Sequence, residues 1–130
     1  MGHELAHQWT GNLVTCQWWD ELWLNKAFSD VLGYMSLRYS EPEWNWESEF
    51  TNYELYEAFD ADASVNSRPL VNKQNNNDHV VESPLEIARQ FDHIVYGKGG
   101  AITRMVMHAM GEHRWQSGMK DYLQTNQERT

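Results

Sequence analysis

His3, Glu4 and His7 form the pattern H-E-x-x-H at the head of the sequence. On a helix, residues four apart share a face, so His3 and His7 project to the same side and can grip one metal ion. Glu4 follows His3 directly and lies near enough to take a proton from a metal-bound water. Zinc lowers the pKa of such a water to about 7, which brings it within reach of a carboxylate base. Without a metal, the same residues are a helix that carries two histidines and a glutamate. The five-residue pattern alone does not separate these readings.

The text around it does more. It continues as Gln8-Trp9, then Gly11-Asn12-Leu13-Val14-Thr15, then Trp18-Trp19-Asp20-Glu21-Leu22-Trp23-Leu24-Asn25. This resembles the zinc aminopeptidases of the aminopeptidase N family (membrane alanyl aminopeptidase, a gluzincin), which write HELAHQW-x-GNLVT and then WW-x-x-LWLNEGFA. The resemblance implies that His3 and His7 are zinc ligands and that Glu4 is the catalytic base. It implies a third ligand at the glutamate of N-E-G-F. Here that stretch reads Asn25-Lys26-Ala27-Phe28, with the frame intact, so Lys26 stands at the third-ligand position.

A glutamate there would give zinc an anionic oxygen, whereas a lysine ammonium gives it a like charge. At about 4 Å and an effective dielectric of about 20, a single and a double positive charge repel by about 8 kcal/mol. Three escapes are open: the lysine binds as a neutral amine, it swings to solvent on its long stem, or Asp30, one turn further along, substitutes as a carboxylate. The substitution marks either a change in an otherwise active enzyme or a catalytically inactive relative that binds peptides or acts as a cell-surface receptor.

A second constellation lies at Phe91-Asp92-His93-Ile94-Val95-Tyr96-Gly97-Lys98-Gly99. The family has F-D-x-I-x-Y-x-K-G there, and its tyrosine stabilises the oxyanion of the tetrahedral intermediate. That role carries over to Tyr96 by resemblance. A phenol suits it, because it donates a hydrogen bond where negative charge develops. Otherwise Tyr96 is a structural residue at a helix start. Gly97, Gly99 and Gly100 lack the spacing of a phosphate-binding loop, and Lys98 reads as structural. His79, His93, His108 and His113 have no partner at metal spacing and read as non-ligands.

Elements must position these groups. A helix from Gly2 to about Trp9 carries the first motif, followed by a loop over Thr10–Asp20. Leu24, Phe28, Val31, Leu32, Met35 and Leu37 form a helical stripe from about Glu21 to Tyr39, which presents position 26 toward His3 and His7. Ser40, with Pro42 in the first turn, predicts the start of a helix that runs to about Asp60. Its Trp44, Trp46, Phe50, Tyr53 and Phe59 are expected in the core. Residues 61–82 are irregular, with Val65–Val71 extended near the active site and a polar loop over Asn72–Asp78. Ser83-Pro84-Leu85-Glu86 is a capping box that opens a helix to about Phe91. Another helix runs from Tyr96 to Met110, with Ile102, Met105, Val106 and Met110 inward, and stops at Gly111. A last helix covers Glu112 to Asn126 and buries Trp115, Met119, Tyr122 and Leu123.

The sequence has 130 residues and a net charge of −9, which disfavours nucleic acid and anionic membranes as partners. Its one cysteine, Cys16, excludes an internal disulfide. No apolar run is long enough to span a bilayer. Residues 1–130 are expected to be an internal fragment of a catalytic domain that continues upstream, with the rest of its parent chain as a partner. The expected fold is mainly α. By resemblance it is the C-terminal helical lobe of a thermolysin-like (α+β) metallopeptidase domain, truncated at the active-site helix. The resemblance also implies one zinc ion, peptide substrates, removal of N-terminal residues, and a plasma-membrane or extracellular setting. Any membrane attachment would come only through segments outside this one.

Overall fold

The computed structural model describes residues 1–71, 81 and 83–127. Among them the chain is helical, with no strand beyond one isolated bridge between Thr10 and Val14. No helix among the described residues is long and apolar enough to cross a membrane. The element order is α1 (Gly2–Ala6), a 3-10 turn (Trp19–Glu21), α2 (Leu22–Ser40), α3 (Trp46–Phe50), a π-turn (Thr51–Leu55) and α4 (Tyr56–Asp62). Then follow α5 (Pro84–Arg89), a second π-turn (Ile94–Lys98), α6 (Gly99–Met110) and α7 (Glu112–Asn126).

α2 is the axis of the molecule. Its middle is buried on every side, through Leu22, Asn25, Ala27, Ser29, Asp30, Val31 and Gly33. A helix surrounded in this way has no solvent face to read, so the expected one-sided stripe is only part of it. α1 crosses α2 at a close glycine contact. A Cβ at Gly33 would lie 2.7 Å from the His3 backbone nitrogen, and one at Gly2 would lie 2.8 Å from the Gly33 carbonyl oxygen. That approach brings the first motif down onto α2. At the far end of α2, Trp46, Met107 and Trp115 form a buried cluster with Phe28, Tyr34, Met35, Leu37 and Met119 packed against it.

Several expectations are corrected. Ser40 does not cap a helix: α2 runs through it, and its hydroxyl donates back to the Ser36 carbonyl. The cap is Asn45, whose side chain accepts from the Ser48 backbone N–H at 3.2 Å. Trp46 and Phe50 are buried as expected, but Trp44, Tyr53 and Phe59 are exposed. The π-turn explains the last two. In a regular helix, Phe50 shares its face with position 57, two turns on. One extra residue in the turn shifts that place to 58, and Ala58 is the buried residue.

α6 is also turned from its expected orientation. Gly99, Gly100, Thr103 and Met107 face inward, while Ile102, Met105, Val106 and Met110 are exposed. Small residues let α6 lie close to α2, and that contact outweighs the apolar stripe. The capping box at Ser83 and Glu86 is present with Pro84 in the first turn. Gly111, at φ +80°, ends α6. Trp115 is buried in α7, with Met119, Tyr122 and Leu123 half-buried. Residues 67–69 are irregular, and Val65 is fully exposed. The polar loop over Asn72–Asp78 and His79 lie outside the described residues.

Candidate active site

α1 ends at Ala6, shorter than the expected helix, and His7 is its C-terminal cap in right-handed backbone conformation. His3 and His7 still lie on one side, with ring centroids 4.6 Å apart and planes nearly perpendicular. Each ring is held by its Nδ1. The Nδ1 of His3 is 2.9 Å from Oδ1 of Asp30. The Nδ1 of His7 is 2.8 Å from the Thr10 carbonyl oxygen and 2.9 Å from Oγ of Ser29. A carbonyl only accepts, so His7 Nδ1 carries the hydrogen and Nε2 holds the lone pair. In the same way His3 Nδ1 donates to Asp30, which leaves Nε2 for a ligand. Such outer partners fix tautomer and ring orientation in metal-binding histidines.

The lone pair on His7 Nε2 is taken. Lys26 Nζ donates to it at 3.1 Å and also lies 5.4 Å from the centroid of the Phe91 ring, in cation–π range. α2 thus delivers position 26 to the histidines, as its register requires. Lys26 neither swings to solvent nor leaves the site. Asp30, buried and bonded to His3, is the partner of a histidine and not a substitute ligand. Among the described residues, no group of three His, Cys, Asp or Glu side chains is arranged to hold a metal ion. Zinc at His7 would need the nitrogen that Lys26 occupies. The residues present, two imidazoles and an ammonium, therefore do not fit the ion that the resemblance implies.

Glu4 is exposed on α1. Tyr96, in the second π-turn, brings its half-buried ring to 6.0 Å from the ring of His3. Burial pushes its phenol upward in pKa, and the charges of Asp30, Glu4 and Glu54 push the same way, so it stays a hydrogen-bond donor. Three further residues at the site carried no signal that sequence reasoning used. Ser29 and Thr10 share a 2.6 Å hydroxyl contact beneath His7. Glu54 accepts from Tyr34 Oη at 3.4 Å, and burial followed by the Asp30 charge raises its carboxyl above the usual range. Thr10 follows the motif as an ordinary loop residue, and Glu54 comes from a π-turn that no spacing rule marked.

The sequence profile described as the Peptidase family M1 domain matches residues 1–130. Aminopeptidase N from Bos taurus is 40% identical over 125 residues, 96% of this chain and 12% of its own length. Aminopeptidase N from Homo sapiens is 37% identical over 125 residues, with the same shares. A probable aminopeptidase 1 from Sulfurisphaera tokodaii is 40% identical over 123 residues, 95% of this chain and 15% of its own length. The chain thus spans 12–15% of the length of these relatives. With the family profile matched from end to end, and relatives of this identity along almost the whole chain, the protein belongs to peptidase family M1, the family of the aminopeptidases N.

Proposed function

We propose that this chain is the active-site segment of an aminopeptidase-family protein that binds peptides without hydrolysing them through zinc. The observation that carries this is the 3.1 Å contact from Lys26 Nζ to His7 Nε2. A single positive charge with N–H donors then stands where the family's ion would stand. It can hold a peptide carbonyl, as can the phenol of Tyr96, but it does not activate water as an ion does. Bulk water has a pKa of about 15.7 against about 7 when bound to zinc. That difference is about 12 kcal/mol at 1.36 kcal/mol per unit, and Glu4 alone does not bridge it. The fold this reading assigns is the helical lobe of a thermolysin-like domain, with residues 1–130 as one part of the catalytic unit.

A specific observation favours a second reading, a working zinc aminopeptidase. Both histidines keep their Nε2 atoms aside through Nδ1 bonds to Asp30 and Thr10. Only Lys26 separates them from a ligand set. Titration of the full protein with a short peptide bearing a free amino terminus, in the presence of a chelator, tests the first reading. It predicts binding with the peptide intact, and no hydrolysis when zinc is supplied. Hydrolysis that zinc restores and chelator abolishes would establish the second.

A further inference from the structure

The turn that carries Tyr96 is tied at both ends to one short stretch of chain. At its start, Asp92 Oδ1 accepts from the backbone N–H groups of Ile94 and Val95, at 3.0 and 3.1 Å. The same carboxylate takes a two-pronged pair from Arg68: Nε to Oδ2 at 3.0 Å and Nη2 to Oδ1 at 2.8 Å. Arg68 Nη2 also reaches the Gln90 carbonyl at 3.1 Å. At the other end, Lys98 Nζ donates to Asp62 Oδ1 at 2.9 Å, and Ser67 Oγ donates to the same oxygen at 2.6 Å. Between the two ends, Gly97 lies against the first π-turn and α4. A Cβ there would collide with the Glu54 carbonyl oxygen and come within 2.7 Å of Ala58 Cβ.

Without these ties the turn would be free to shift. A π-turn has wider, weaker hydrogen bonding than an α-helix and is often found where a side chain must be aimed. Two-pronged arginine–carboxylate pairs fix orientation as well as distance. Arg68 and Asp92 are mostly shielded, with side chains 21% and 36% exposed, so the pair is more than a surface contact. By contrast, Arg38 and Glu112 form a single-pronged pair with side chains 45% and 49% exposed.

We propose that Arg68–Asp92 and Lys98–Asp62 are positioning pairs that fix where the phenol of Tyr96 stands relative to His3. This rests on the reading that Tyr96 donates to a bound peptide. The four residues act through the backbone of the turn.

Fluorotyrosine incorporated in the full protein gives one 19F signal for each tyrosine, and Tyr96→Phe identifies the signal of Tyr96. Asp92→Asn keeps an oxygen for the Ile94 and Val95 N–H groups but cannot accept both prongs of Arg68. Arg68→Lys keeps the charge and loses the fork. Either variant is expected to shift or split the Tyr96 signal while the Tyr122 signal stays in place, and Arg38→Gln is expected to leave both unchanged. In a Lys26→Glu background that hydrolyses peptide, Asp92→Asn is expected to lower kcat by up to about 100-fold with little change in KM, the effect of a misplacement of about 1 Å. An unchanged Tyr96 signal in both variants, with only a lower melting temperature, would overturn the proposal. So would an equal shift from Arg38→Gln. The 19F result stands whether or not Tyr96 contacts peptide, and weaker peptide binding by Tyr96→Phe tests that role separately.

Discussion

His7 has two ring nitrogens and three neighbours that compete for them. Thr10 and Ser29 hold Nδ1, and Lys26 takes Nε2. The ring is thus saturated by the protein itself. His3 differs, because among the described residues only its Nδ1 is engaged, by Asp30. Asp30 should therefore tune any metal that the site is made to hold. In the Lys26→Glu protein, Asp30→Ala is expected to weaken zinc binding by about 10–100-fold, read by competition against a chelator. Unchanged affinity would show that Asp30 does not orient His3.

Glu54 gives a prediction with a sign. Burial, then Asp30, raises its carboxyl in the folded state. A raised folded value means that the protonated form favours folding. That contribution is fully present below the ordinary carboxylate value of about 4.3 and is lost as pH rises through the raised value. Glu54→Gln mimics the protonated form and keeps an oxygen for Tyr34. The variant should melt with the parent near pH 4 and above it at pH 7. A lower melting temperature at pH 7 would contradict the assignment.

At the scale of elements, spacing predicted the helices that have local start and stop signals. Ser83 with Glu86 fixed the start of α5, and Gly111 ends α6 as its position suggests. Faces were harder to read, because burial depends on what a helix meets. The apolar stripe of α6 points outward, since Gly99, Gly100 and Thr103 allow a closer approach to α2. The π-turn after Phe50 redirects the aromatics that follow it, and no sequence rule marks such an insertion. Two substitutions test these contacts. Phe50 is fully buried, with its ring 5.5 Å from that of Tyr34, so Phe50→Ala is expected to cost about 3–5 kcal/mol in unfolding free energy. Met105 is 70% exposed despite its apolar character, so Met105→Lys is expected to change stability by less than about 0.5 kcal/mol. A cost of several kcal/mol at Met105 would mean that the orientation of α6 is wrong.

For the whole molecule, α2 joins fold and site. It carries Lys26, Ser29 and Asp30 to the histidines from one side, while its opposite side builds the core around Val31 and Phe28. The first motif was legible because its residues are contiguous and helix geometry makes them converge. Glu54 and Arg68 reach the site through tertiary packing, which the order of residues does not display. Net charge over these 130 residues is −9. On the proposed function, Lys26 takes the place of the ion at His7. Elemental analysis of the full protein beside its Lys26→Glu form tests it most directly. About one zinc per chain is expected in the Lys26→Glu form and none retained by the parent after dialysis. One zinc per chain in the parent would contradict it, because Lys26 would then have released His7 to the metal.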